Sequence, residues 1–132
     1  MKIVVDTNVL LRFFVNDDPA QYELARQSIE RAEAVVVTNQ ALCETIWVLR
    51  SRYGVSRAQL EQIIHDLREK SDVVLDVGAI DAGLAMLRSG ADFADGVIAY
   101  EGRWLGGEMF VSFDKKAVAV MVKQGMKAEL LV

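Results

Sequence analysis

The sequence predicts an α/β protein with a central parallel β-sheet of four to five strands flanked by helices. Three observations carry this. Short runs rich in β-branched residues alternate with longer segments of helical periodicity. Strands separated by helices pair in parallel, because each crossover returns the chain to the same end of the sheet. A length of 132 residues at 52% hydrophobic composition suits one domain with a proper core, so a single domain over 1–132 is expected.

Each element has a local reason. Lys2–Val5 is short, apolar and β-branched, and reads as a buried strand. Thr7–Val15 follows as a helix with Leu10, Leu11 and Phe14 on one side. Asp18 caps the next helix and Pro19 opens it, its missing N–H costing nothing there. That helix runs to about Glu33, with Tyr22, Ala25, Ile29 and Ala32 on one face. Ala34–Val37 is the second strand, and Asn39–Arg52 a helix stopped by Gly54. Ser56 and Gln59 form a capping box for a helix that buries Leu60, Ile63, Ile64 and Leu67. Val73–Leu75 is the third strand, followed by helices over Ile80–Arg88 and Asp92–Leu105. Met109–Phe113 is the fourth strand, Asp114–Gln124 the last helix, and Lys127–Leu131 an edge strand.

Composition narrows the chemistry. One cysteine, Cys43, excludes an intrachain disulfide and a Cys-based zinc site. A reducing, cytoplasmic setting is expected, since Met1–Val5 lacks the architecture of an export signal. One histidine, His65, excludes two-histidine acid–base hydrolysis and a multi-histidine metal site. His65 reads as a helix-surface residue and Cys43 as a small buried hydrophobe. A net charge of −4 argues against nucleic-acid binding by basic charge alone. Catalysis would have to rest on carboxylates, hydroxyls or a cofactor.

Most acids fall where a solvated helix face would put them, but five do not. Asp6 and Asp114 each end a strand, where open parallel sheets bind ligands. Either could equally serve as a helix N-cap. Glu44 interrupts the apolar run Ala41–Leu49, where a carboxylate is costly unless a cation or an arginine such as Arg12 or Arg50 meets it or it lies at the rim of the buried face. Asp92 and Asp95 are three apart on one helix face, with small Gly96 and Ala99 beside them leaving room for something to approach. A parallel sheet gathers strand C-termini along one edge. Carboxylates collected there repel unless a hard cation, which prefers oxygen ligands, sits among them. The chemistry this implies is metal-assisted hydrolysis of a phosphodiester.

Four motifs then resemble one known family. Asp6-Thr7-Asn8-Val9-Leu10, Glu44-Thr45-Ile46-Trp47-Val48-Leu49, Asp92-Phe93-Ala94-Asp95-Gly96-Val97-Ile98-Ala99 and Ser112-Phe113-Asp114-Lys115-Lys116 resemble the PIN-domain family, most of all the VapC-type toxins of toxin–antitoxin pairs. The resemblance implies a PIN-like fold and an acidic metal-binding and catalytic cluster of Asp6, Glu44, Asp95 and Asp114. Asp92 is an additional acidic position, and Thr7 and Ser112 supply supporting hydroxyls. It further implies an endoribonuclease that cleaves single-stranded RNA with Mg²⁺ or Mn²⁺, forms a homodimer and is inhibited by a cognate antitoxin. Arg12, Arg50, Lys115 and Lys116 are candidate contacts to RNA phosphates. The apolar pairs Phe13-Phe14, Ile46-Trp47 and Met121-Val122 are candidate interface surface.

Two alternatives stand beside this reading. One keeps the fold as a housekeeping RNA-processing nuclease. The other is a phospho-acceptor receiver-like signalling domain, disfavoured because Asp6 stands alone after its strand and no lysine ends the late strand.

Overall fold

A computed structural model describes all 132 residues. The chain divides into two compact units, Met1–Asp76 and Val77–Val132.

In the first unit, β1 (Lys2–Val4), β2 (Ala34–Val36) and β3 (Val73–Val74) form a parallel sheet in that order. Lys2 pairs with Ala34, and Val35 with Val73. Between them lie α1 (Thr7–Phe14), α2 (Pro19–Arg31), α3 (Asn39–Tyr53) and α4 (Arg57–Glu69). Helix α1 packs on α2 and α3, and α3 on α4. Local chemistry sets the ends. Asp18 accepts a hydrogen bond from the Gln21 amide, and Thr38 from that of Ala41. Ser56 and Gln59 complete a reciprocal capping box. Gly54 closes α3 at φ 63°, a conformation any Cβ would strain. Leu42, Leu49, Leu60 and Ile64, from α3 and α4, are fully buried.

In the second unit, α5 (Val77–Arg88) and α6 (Phe93–Trp104) precede β4 (Phe110–Ser112), α7 (Lys115–Lys123) and β5 (Ala128–Leu130). Strands β4 and β5 are parallel, with Phe110 opposite Ala128, and α7 packs on both. Met86, Ala91, Ala117, Val120 and Met121 form the core, with Ala99, Phe110 and Met126 packed against it. Helices α5 and α6 cross unusually closely. A Cβ on Gly96 would stand 2.3 Å from the Ala82 carbonyl oxygen, and one on Gly83 2.5 Å from the Phe93 ring.

The α/β class and all five strands agree with the sequence, but the strands do not form one sheet. They hydrogen-bond as a three-stranded sheet and a separate two-stranded one. At two or three residues each, the strands carry too few ladder bonds for their sequence to specify every neighbour. The apolar pairs also divide. Ile46 and Met121 are buried, Trp47 and Val122 exposed, and Phe13 and Phe14 half-buried in an edge-on pair. His65 is on the surface as expected, while Cys43 is only half-buried. No helix is long and apolar enough to cross a membrane.

Candidate metal centre

The second unit holds an acidic cluster. Asp92, Asp95 and Asp114 each offer a carboxylate oxygen, and these three oxygens all lie within 4.8 Å of one another. Two elements place them. Asp92 is the N-cap residue of α6 and Asp95 lies in its first turn, while Asp114 follows β4 and caps α7. The tight α5–α6 crossing at Gly96 fixes the turn that carries Asp95. The small residue beside Asp95 admits the backbone of α5, which identifies what approaches there.

The cluster is electrostatically unfavourable as it stands. The Asp95 carboxyl is pushed above the ordinary carboxylate range, first by burial and then by the charges of Asp92 and Asp114. Capping accounts for only part of the set. Asp114 Oδ1 accepts from the amides of Lys116 at 2.9 Å and Ala117 at 3.1 Å, and a carboxylate has a second oxygen. Asp92 sits at a cap position, yet its side chain makes no capping bond. Ser112 Oγ accepts from the Asp114 amide at 2.9 Å and so fixes the turn that presents Asp114.

A hard divalent cation fits this donor set. All three donors are carboxylate oxygens within 4.8 Å of one another, and hard cations such as Mg²⁺ and Mn²⁺ prefer oxygen ligands. Asp92 is thus a full member of the cluster, a stronger place than the sequence gave it.

Asp6 and Glu44 belong to the first unit, where both have local hydrogen-bond partners. Asp6 caps α1, its Oδ1 accepting from the Val9 amide at 2.9 Å. The Thr7 hydroxyl donates to Glu44 Oε2 at 2.8 Å, and the Gln40 side chain donates to Glu44 Oε1 at 3.3 Å. Glu44 is exposed, so it does not interrupt the buried face of α3. Arg12 does not meet it. That guanidinium pairs with Asp17, whose other oxygen accepts from the Tyr53 hydroxyl at 2.6 Å. Arg12 is therefore committed within its own unit. Arg50, Lys115 and Lys116 are exposed. One strand-end acid was not singled out from the sequence: Asp76, just beyond β3, accepts from the Asn39 side chain at 3.4 Å. Its spacing after Val73–Val74 repeats that of Asp6 and could have flagged it.

In this parallel α/β chain three carboxylates converge where β4 ends and α6 begins, an arrangement suited to a hard cation. Residues 3–121 match the family model of the PIN domain, and the chain belongs to that family. No curated protein matches it. PIN domains are generally metal-dependent nucleases that bind divalent cations, and this membership displaces the receiver-like alternative.

Proposed function

We propose that this chain is an endoribonuclease that uses Mg²⁺ or Mn²⁺ to cut single-stranded RNA, and that it acts as the toxin of a toxin–antitoxin pair. The observation that carries the nuclease reading is the Asp92–Asp95–Asp114 cluster in a PIN domain. The toxin role rests on the likeness of the four motifs to VapC-type proteins. A homodimer, a cognate antitoxin and a cytoplasmic setting belong to the same reading.

Asp92, Asp95 and Asp114 would hold the cation, and Asp6 and Glu44 serve the same reaction on the strength of the motif likeness. A bound divalent ion supplies charge neutralisation at a phosphoryl oxygen and a more acidic water. The protein's own groups do the positioning. Asp114 is fixed by its capping bonds and by Ser112. Thr7 holds one oxygen of Glu44 in place and leaves its orientation defined. Lys115 and Lys116 stand in the first turn of α7, where cations oppose the helix dipole. Phosphate contact gives that unfavourable placement a purpose. Arg50 is a further phosphate contact, and so is Arg12, although its pairing with Asp17 competes with that role.

The test is incubation of the purified chain with a mixed RNA pool in Mg²⁺ or Mn²⁺ against EDTA, with mapping of cut ends. The reading expects cleavage at unpaired positions with metal and none with EDTA. Cleavage undiminished in EDTA overturns the metal assignment. Expression of the chain alone should arrest growth; cleavage without arrest would favour a housekeeping nuclease instead.

A further inference from the structure

The second unit carries a cavity that the acidic cluster does not use. It encloses about 440 Å³ at the opposite end of α6 and β4 from the three aspartates. Its walls include Ile98, Gly102 and Arg103 from α6, Phe110 from β4, and Met126 and Lys127 leading into β5. Asp95, Ile98, Gly102 and Arg103 follow at helical spacing, so one stripe of α6 starts in the cluster and ends in the cavity. Eight residues of helix separate Asp95 from Arg103, about 12 Å along the axis. A strand of a few nucleotides covers that span.

The chemistry of the walls selects the occupant. Phe110 and Met126 offer an apolar, polarisable floor. Arg103 and Lys127 are exposed cations, unlike Arg12, Arg26 and Arg68, which are held in ion pairs. Glu108 is the one acid on the wall, so this is a locally basic cavity on a chain of net charge −4. Trp104, the last residue of α6, is 78% exposed at the same end. Apolar surface for a base beside cations for its phosphates is how single strands are held without duplex geometry.

We infer that this cavity is a nucleotide subsite, which takes an unpaired base of the RNA strand a few nucleotides from the scissile phosphate. The inference rests on the nuclease reading for its substrate but makes its own prediction about binding. Gly102 supplies a clean probe: a Cβ there meets nothing within 4 Å, so a larger side chain enters the cavity without displacing backbone. A glycine replaced inside a helix also gains helix propensity.

The experiment measures fluorescence anisotropy of a single-stranded RNA of roughly ten nucleotides, in EDTA so that no cutting intervenes. It compares wild type, Gly102→Leu and the double variant Arg103→Ala/Lys127→Ala, with melting curves to confirm folding. The expected result is a Kd raised about tenfold in each variant, with the melting temperature held or raised in Gly102→Leu. Affinity unchanged in both folded variants overturns the subsite, as does wild type that binds no single strand. Should either variant fail to fold, the other decides. Loss of binding in the variants alongside a wild type that cuts no RNA in Mn²⁺ would keep the subsite and sink the nuclease reading, so the two fail separately.

Discussion

The acids of the two units differ in crowding rather than in capping, since Asp114 caps α7 as Asp6 caps α1. In Met1–Asp76, Asp6 and Glu44 have hydrogen-bond donors within reach: a helix amide for one, a hydroxyl and an amide side chain for the other. In Val77–Val132, Asp92, Asp95 and Asp114 face one another, and Asp95 is pushed toward its neutral form by burial and by its neighbours' charge. The first arrangement needs nothing more for stability. The second is a local cost that an added cation removes, and costs of that kind concentrate at functional sites.

Substitutions sharpen the contrast, and the largest effect concerns activity. Asp95→Asn should lower metal-dependent cleavage by more than about 100-fold, since even groups supporting a metal ligand are worth 10–100-fold. It should also raise the melting temperature of the ion-free protein, because it removes a repelled, half-buried charge. Asp6→Asn should abolish cleavage equally while leaving the melting temperature near its original value, because Asn caps about as well as Asp. Equal melting temperatures for the two variants would remove the distinction between the units. Next in size is Gly96→Ala. The new methyl meets backbone at 2.3 Å, so a loss of about 1–3 kcal/mol is expected in a denaturant titration. Thr7→Val removes the hydroxyl that holds Glu44 and should cost roughly tenfold in kcat, with recovery in Thr7→Ser.

The smallest effect is one of pH. Folding raises the Asp95 pKa, so the folded protein binds that proton more tightly than the unfolded chain. Stability of the ion-free protein therefore falls as pH rises from the unfolded value, near 3.8, through the folded one, and the penalty persists above it. Melting curves in EDTA across that range should show the decline in wild type and its absence in Asp95→Asn. The opposite slope would mean that Asp95 gains a favourable partner on folding.

Much of this was legible in the sequence because it is local. Asp18-Pro19, the Ser56–Gln59 box and Gly54 fix helix ends by hydrogen bonds spanning a few residues, and the observed boundaries lie close to those positions. The candidate acids were legible because strand ends and helix first turns are readable positions. What failed depended on packing between elements. The run Ala41–Leu49 reads as mostly buried, and only packing decides that Glu44 and Trp47, three apart, share an exposed face while Leu42, Thr45, Ile46 and Leu49 are buried. Gly96 announced a close approach without saying what approaches. Asp92 stands at a helix cap position, and only the fold shows that its carboxylate makes no capping bond and lies beside those of Asp95 and Asp114.

The central claim is that the acids of the second unit hold a divalent cation. Thermal melting of wild type and Asp95→Asn against increasing Mn²⁺, without RNA, tests it most directly. A ligand at 100 times its Kd adds about 2.7 kcal/mol to the folded state. Wild type should gain a saturable rise in melting temperature, and Asp95→Asn should gain little or none. An equal rise in both proteins, or none in wild type, would contradict the account.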